Sequence, residues 1–490
     1  MLFTSLEFFV FLPLVLILFA ALPTGKRWIW LLLASYAFYG AFRPFNLVYL
    51  GAVTLFVWGC GAALERTSRE LSRRLLLAAG VVVVIGSLFA FKFYDFIAGE
   101  LERLLGETLG SESAIALPRL AVTTPVGYSF YAFSAVSYLI DIFSRRLPER
   151  QSAGQVALYL AWFPKILAGP IDRATSFLPQ VSAGLRADPD RLVLGLQLIG
   201  WGLIKKVVIA DNLAPMVDKV FGIAAFASPI DLLISVYFFA FQIYCDFSGY
   251  TDIAIGVSLL FGLQLMENFR RPYLARSTAE FWGERWHISL GRWFRDYLYI
   301  PLGGGRAGPV RHYLNLMLVF VASGLWHAGL GYGVGWTFLV WGALNGAYQW
   351  AGVATRPFWS RVGERLPRVS ASLPLLALRV LLTFHLIAIT WVFFRARSLG
   401  DAWLILKKIA LNLVEIPSLL SRFPFTTEHY WAFALIAFLI GVEIVDERRS
   451  IFQRLAAAPV MVRWAVYYLA IFTLLILGRW QAREFIYMQF

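Results

Sequence analysis

The stretch LNLMLVFVASGLWHAGLGYGVG (314–335) opens with thirteen residues, Leu314–Trp326, that carry no charge; His327 follows, then glycine at Gly329, Gly331, Gly333 and Gly335. An imidazole is costly to keep in hydrocarbon and titrates near neutrality, so a histidine in such a run marks a functional candidate by default. A helix that stops at a histidine, with flexible backbone after it, leaves room for a substrate to approach the ring. The bland alternative is a core histidine bonded to a neighbouring carbonyl. Only five histidines occur in the chain, and a second Trp-His pair, Trp286-His287, stands beside Trp326-His327.

Working outward, hydrophobic residues make up 59% of the 490 and charged residues 15%, with a mean hydropathy of +0.67. A soluble protein of this size needs more polar surface. Apolar runs of about 18 residues or more recur from end to end, each long enough to cross ~30 Å of hydrocarbon. The expected class is an all-α polytopic membrane protein. With no linker, composition shift or internal repeat, it reads as one domain, 1–490. Two cysteines, Cys60 and Cys245, exclude a disulfide scaffold or a thiolate metal site as the organising principle, and no metal is expected. The net charge of +14 fits basic loops facing an anionic leaflet better than a nucleic-acid partner.

Candidate spans run over 5–22, 27–42, 47–64, 75–97, 124–144, 155–172, 191–209, 231–262, 312–328, 333–352, 373–394, 430–446 and 463–479. The first lacks a basic leader and is followed by Lys26 and Arg27, so it reads as a retained anchor. Basic clusters at Arg66, Arg69, Arg73 and Arg74, at Arg145, Arg146 and Arg150, and at Arg448, Arg449 and Arg454 mark one side. The loop 98–120 carries Glu100, Glu102, Glu107 and Glu112 against Arg103 and Arg119. The positive-inside rule then puts the clusters in the cytoplasm and both termini outside, although Arg479 and Arg483 weigh mildly against an exported tail. Seven spans separate two loops assigned to the same side, and that number must be even. At least one segment is re-entrant or interfacial. The suspects are 155–180, interrupted by Pro164, Gly169 and Pro170, and the long 231–262, with a cavity beside them.

Within 280–298, Trp282, Trp286, Leu290, Trp293 and Tyr297 recur at helical spacing, which predicts one amphipathic helix lying along the interface. His287 would project from the edge of its aromatic stripe. The span 231–262 carries Gln242 and Asp246 on one face and Ser248 and Asp252 on another. They read either as the polar wall of a chamber or as glue between helices. Nucleotide-type glycine loops, zinc-spaced histidine motifs and the Gly-x-Ser-x-Gly elbow are all lacking. Histidine is the strong general base that remains, in a water-poor site suited to moving an acyl group from a thioester to a hydroxyl.

FWGERWHISLGRWFRDYLYIPLGG (281–304), SGLWHA (323–328) and WTFLVWGALNG (336–346) resemble the membrane-bound O-acyltransferases. So do QIYCDFSGYTDIAIG (242–256), ENFRRPY (267–273), FPKILAGPI (163–171) and WVFFRA (391–396). The likeness covers most of the chain and is to the bacterial alginate O-acetylation branch. It implies about 11–13 tilted helices ringed around a through-membrane tunnel, with re-entrant and interfacial helices. It also implies His327 as the catalytic histidine and His287 as a second polar residue at the reaction chamber. Trp286, Trp326, Gln242, Asp246, Ser248, Asp252 and Asn345 are the chamber-lining candidates. Many relatives have glycine where this chain has Ala328 and histidine where it has Asn345, so a third-histidine role is not carried over to that position.

The C-terminal FIYMQF (485–490) reads as an interfacial aromatic anchor. Alternatively, it resembles a short Phe-x-Tyr terminal motif of cell-wall acylation systems, in which a tyrosine holds the acyl group in transit; Tyr487 is then the acyl-intermediate candidate. The function expected is O-acetylation of an exported, alginate-like polysaccharide in the bacterial inner membrane. Acetyl-CoA or another thioester would be the donor, with no bound cofactor, and an extracytoplasmic esterase-like transferase would be the partner. One alternative is teichoic-acid D-alanylation from a carrier protein. Another, of a different class, is a transporter or export pore with His327, Asp246 and Asp252 as a proton relay, which predicts inverted repeats that the sequence does not show.

Overall fold

The computed structural model describes residues 1–109, 116–120, 124–147, 151–306, 308–328, 335–481 and 483–489. Glu112, Arg150, Gly329, Gly331, Gly333 and Phe490, singled out above, lie outside the described residues. Among the described residues the regular structure is helical throughout, with no strand. The order begins α1 (Leu6–Ala21), α2 (Thr24–Gly40), α3 (Phe45–Arg66), α4 (Glu70–Leu109), α5 (Tyr128–Phe143), α6 (Ala153–Ala161) and α7 (Ala174–Ser182). Then come α8 (Pro189–Leu203), a π-helical segment Ile204–Ala210, α9 (Asp211–Gly222) and α10 (Pro229–Leu260). A short α11 (Thr278–Glu280) and α12 (Ile288–Phe294) lead to α13 (Pro309–His327) and α14 (Gly335–Arg365). The chain closes with α15 (Pro367–Ser370), α16 (Leu373–Arg395), α17 (Leu399–Leu411), α18 (Ile416–Arg422), α19 (Thr427–Arg448), α20 (Ile451–Ala456) and α21 (Val460–Leu477).

Seven of the described helical stretches are long and apolar enough to cross a membrane, and α1 and α5 are shorter apolar helices. This is a multi-pass all-α membrane protein. Its periphery shows the lipid-facing pattern: α21 has no buried residue, and leucine, valine and phenylalanine side chains are exposed along α1, α4 and α16. At the opposite extreme stands α10, nearly all of whose residues are buried. It begins where Ser228 Oγ accepts the Asp231 N–H at 3.2 Å and Pro229 takes the first helical position, where a missing N–H is harmless.

Glycines let α8 approach α10 closely. A Cβ on Gly195 would sit 2.7 Å from the Gly256 carbonyl oxygen, and one on Gly202 would sit 2.6 Å from that of Gly249. Within each helix the two glycines lie about two turns apart, so one face of each helix is flattened twice in register.

Of the two suspects for an interrupted span, 231–262 is one unbroken helix. The other, 155–180, is interrupted as expected: α6 ends at Ala161 after nine residues, about 13 Å of helix against the ~30 Å needed, and Trp162–Ile171 continues as buried, non-helical backbone. Lastly, 280–298 is not one helix. Trp286 is extended and His287 is left-handed, which breaks it in two. The aromatic periodicity survives the break because Trp286, Leu290 and Trp293 are all buried against protein.

Candidate active site

His327 is the last residue of α13, and its ring is oriented by its own helix. Nδ1 lies 2.7 Å from the Ser323 carbonyl. A carbonyl only accepts, so the proton is on Nδ1 and the lone pair on Nε2, the tautomer a general base needs. The ring packs edge-on against Trp326, Trp341 and Phe394, with centroids 4.7, 5.0 and 5.6 Å away. Gly324 permits this close α13–α14 packing, since a Cβ there would lie 2.4 Å from the Phe338 carbonyl oxygen. From α4, Lys92 donates to the Trp326 carbonyl at 2.5 Å.

His287 is placed by distant segments. Its backbone has φ 43° and ψ 52°, a left-handed conformation that costs a non-glycine residue about 1–3 kcal/mol. A clamp on the residues that follow it holds this geometry. Asn268 accepts the Ile288 N–H through its carbonyl at 2.9 Å, and through Oδ1 it accepts the Ser289 N–H and Oγ–H at 3.1 and 2.9 Å. Ser289 Oγ in turn accepts the Ile171 N–H at 3.0 Å, which ties the buried 162–171 segment to the same point. On the other side Arg285 pairs with Glu280 at 2.7 Å and with Glu447 of α19 at 2.8 Å, and Arg271 pairs with Asp446 and Glu447. The His287 ring is 3% exposed, and neither nitrogen has a hydrogen-bond partner among the described residues. Burial, with the nearby His327 as a smaller cause, holds its pKa well below the ordinary histidine value. Buried polar groups are nearly always paired, and an exception calls for a functional reason.

The C-terminal tail completes the site. Tyr487 is buried, stacked on Phe247 of α10 at 3.7 Å, with its ring 6.1 Å from His287 and 5.9 Å from His327. Burial first, and Asp246 second, raise its phenol pKa. Trp326 lies 6.2 Å from His287 and so touches both halves of the site.

The other candidates separate into two groups and one residue apart, Ser248. Gln242 and Asp246 line a polar cavity of about 390 Å³ beside the tail, together with Lys206, Asp211, Asp218 and Arg395. Asp252 instead pairs with Lys205 at 2.5 Å. Asn345 accepts the Trp282 indole N–H at 2.9 Å and donates to the Trp341 carbonyl, and Trp286 is packed among Phe281, Phe269 and Trp391. These three hold helices and loops together. Ser248 is buried, with no partner for its hydroxyl among the described residues. Lys92, Lys205, Lys206, Asn268 and Ser289 went unremarked in the sequence. For the lysines the signal was present, since each lies inside an apolar run as Asp246 does. For Asn268 and Ser289 no local signal distinguishes a clamp from any polar loop residue.

Fold and site together describe a polytopic membrane protein in which two buried histidines and a buried tyrosine meet. The model of the membrane-bound O-acyltransferase family matches residues 142–371. The chain is 37% identical over 407 residues to the "Probable alginate O-acetylase AlgI" of Azotobacter vinelandii, covering 82% of this chain and 77% of the relative. It is likewise 37% identical over 410 residues to the protein of that name in Pseudomonas aeruginosa, covering 82% and 74%. To the peptidoglycan O-acetyltransferase of Helicobacter pylori it is 32% identical over 450 residues, covering 84% and 80%. The chain belongs to the membrane-bound O-acyltransferase family, as its motifs led us to expect, and is an O-acyltransferase.

Proposed function

We propose that this protein moves an acetyl group from a cytoplasmic thioester, acetyl-CoA, across the bacterial inner membrane for O-acetylation of an exported polysaccharide. His327 is the base and Tyr487 the carrier. The observation that carries this reading is the meeting of His287, His327 and Tyr487, from three remote segments, with the Tyr487 ring 6.1 Å from His287 and 5.9 Å from His327. His327 Nε2 takes the phenol proton as Tyr487 Oη attacks the thioester carbonyl. The tetrahedral adduct collapses to the acetyl-tyrosine ester, and the departing thiolate recovers the proton from the imidazolium. A hydroxyl of the acceptor, on the polymer or on an extracytoplasmic esterase-like partner, then attacks the ester with His327 again as base; the Tyr487 Oη–acetyl bond breaks, and the departing phenolate recovers the proton from the imidazolium. His287, held neutral and unpaired, faces the same space and is suited to donate a hydrogen bond to the developing oxyanion.

Without 155–172, six expected crossings remain between the basic loops at 145–150 and 448–454. The even number supports a cytoplasmic position for both loops and an exported tail. The names of the relatives support a polysaccharide acceptor, alginate in two cases and peptidoglycan in the third. The test is mass spectrometry of the C-terminal peptide after incubation of the purified protein with acetyl-CoA and no partner. An acetyl adduct on Tyr487 is expected. Its absence, together with full polymer acetylation by Tyr487→Phe, would overturn the carrier step.

A further inference from the structure

The tail that presents Tyr487 is short, and it is held by one partly exposed ion pair and by buried charge. Arg483 reaches Asp218 at 3.0 Å, and Asp218 also pairs with Arg395 at the end of α16 at 2.7 Å. Phe485 lies under the Lys206 ammonium, 4.6 Å from its ring centroid. One residue on, the Ile486 N–H donates to Asp246 Oδ2 at 2.7 Å. The other carboxylate oxygen of Asp246 accepts from Lys206 at 2.7 Å, and Lys206 also reaches Asp211 at 2.9 Å. The two oxygens of Asp246 therefore act separately, one gripping the helix scaffold and the other gripping the tail backbone immediately before Tyr487.

The scaffold side is built by a local departure from α-helix. Successive residues of an α-helix point about 100° apart, yet Lys205 and Lys206 are both buried and both face α10, where they pair with Asp252 and Asp246. The two lysines lie at the start of the π-helical segment Ile204–Ala210, and such widened turns are frequent at functional sites. A buried ion pair adds little net stability over a well-packed apolar pair, and its best-attested use is to specify register. Here the register in question is that of the tail in its seat.

We propose that Asp246, fixed by Lys206, is a positioning residue that sets the register of the C-terminal tail and so places Tyr487 between the two histidines. The proposal rests on the carrier reading of Tyr487 and adds the group that aims it. The experiment compares Asp246→Ala, Asp246→Asn and the charge swap Lys206→Asp with Asp246→Lys. It measures membrane insertion, the rate of Tyr487 acetylation, and KM for acetyl-CoA. Asp246→Ala leaves Lys206 paired with Asp211, so it is expected to insert. It should acetylate Tyr487 on the order of 100-fold more slowly, the cost of a small misplacement of a reacting group, with KM unchanged. Asp246→Asn keeps an oxygen for the Ile486 N–H and should recover most of the rate. The swap restores a buried pair but offers Ile486 no acceptor, so it should insert normally and stay slow. Full recovery by the swap would show that only the ion pair matters and overturn the proposal, as would a normal rate in Asp246→Ala. A wild-type protein that never forms the adduct would overturn the carrier reading itself, and is told apart because no variant is needed to see it.

Discussion

Trp326-His327 ends a continuous helix, and its ring is oriented by a carbonyl one turn back in that same helix. Trp286-His287 interrupts helical structure, and its position depends on Asn268, Ser289, Ile171 and Glu447, contributed by separate stretches of chain. The first histidine has its proton assigned by a hydrogen bond; the second has no such bond on either nitrogen among the described residues. A base that must take and return a proton benefits from a fixed tautomer. A ring that only has to be neutral and present at one point can be held by its backbone instead. The same dipeptide therefore serves two ends, one determined locally and the other by tertiary structure.

The sharpest way to break this comparison is His327→Ala. Polymer acetylation should fall about 10²–10⁴-fold, the usual contribution of a positioned general base, while the polymer is still exported. Loss of export in that assay would favour a pore over a transferase. His287→Val tests the other half. A β-branched residue in left-handed backbone should cost about 1–3 kcal/mol of stability, read from thermal unfolding in detergent. His287→Asn should cost far less, because asparagine tolerates that conformation. Smaller again is Ser289→Ala, which removes a hydroxyl that both donates to Asn268 and accepts from Ile171. About 1 kcal/mol is expected, with acetylation lowered through His287 while the His327–Ser323 contact stays intact.

The smallest effect expected is a pH dependence. The folded-state pKa of His287 is depressed from 6.5, so the unfolded chain binds its proton more readily. The contribution to stability is complete above about pH 6.5 and declines as pH falls below it. Thermal stability should drop less steeply below that pH in His287→Asn than in wild type. Equal slopes would mean that the ring is not held neutral by burial.

Much of this was legible in the sequence because it depends on local or compositional quantities. Apolar content and run length determine an all-α membrane protein. The uncharged run ending in His327 marks the candidate base, and the motifs around both histidines mark the family. Trp282, Trp286, Leu290, Trp293 and Tyr297 were misleading because helical periodicity reports which residues face protein and is blind to a left-handed residue between them. The polar residues of 231–262 left a chamber wall and glue between helices equally open, whereas Asp246 and Asp252 find partners on the π-helical segment and the tail, and α10 runs unbroken.

What only the tertiary structure decided is long-range pairing. Asp246 and Ile486 are 240 residues apart, and Asn268 and Ser289 are 21 apart. A sequence pattern records each residue's preference for water or lipid, but not which buried donor will find which acceptor. In a low-dielectric interior an unpaired polar group is costly, so polar residues within the apolar runs had to find partners. Their identities show which parts of the chain the fold brings together: two histidines whose contexts differ, and a tyrosine seated between them by a carboxylate that sequence alone could place only on a wall.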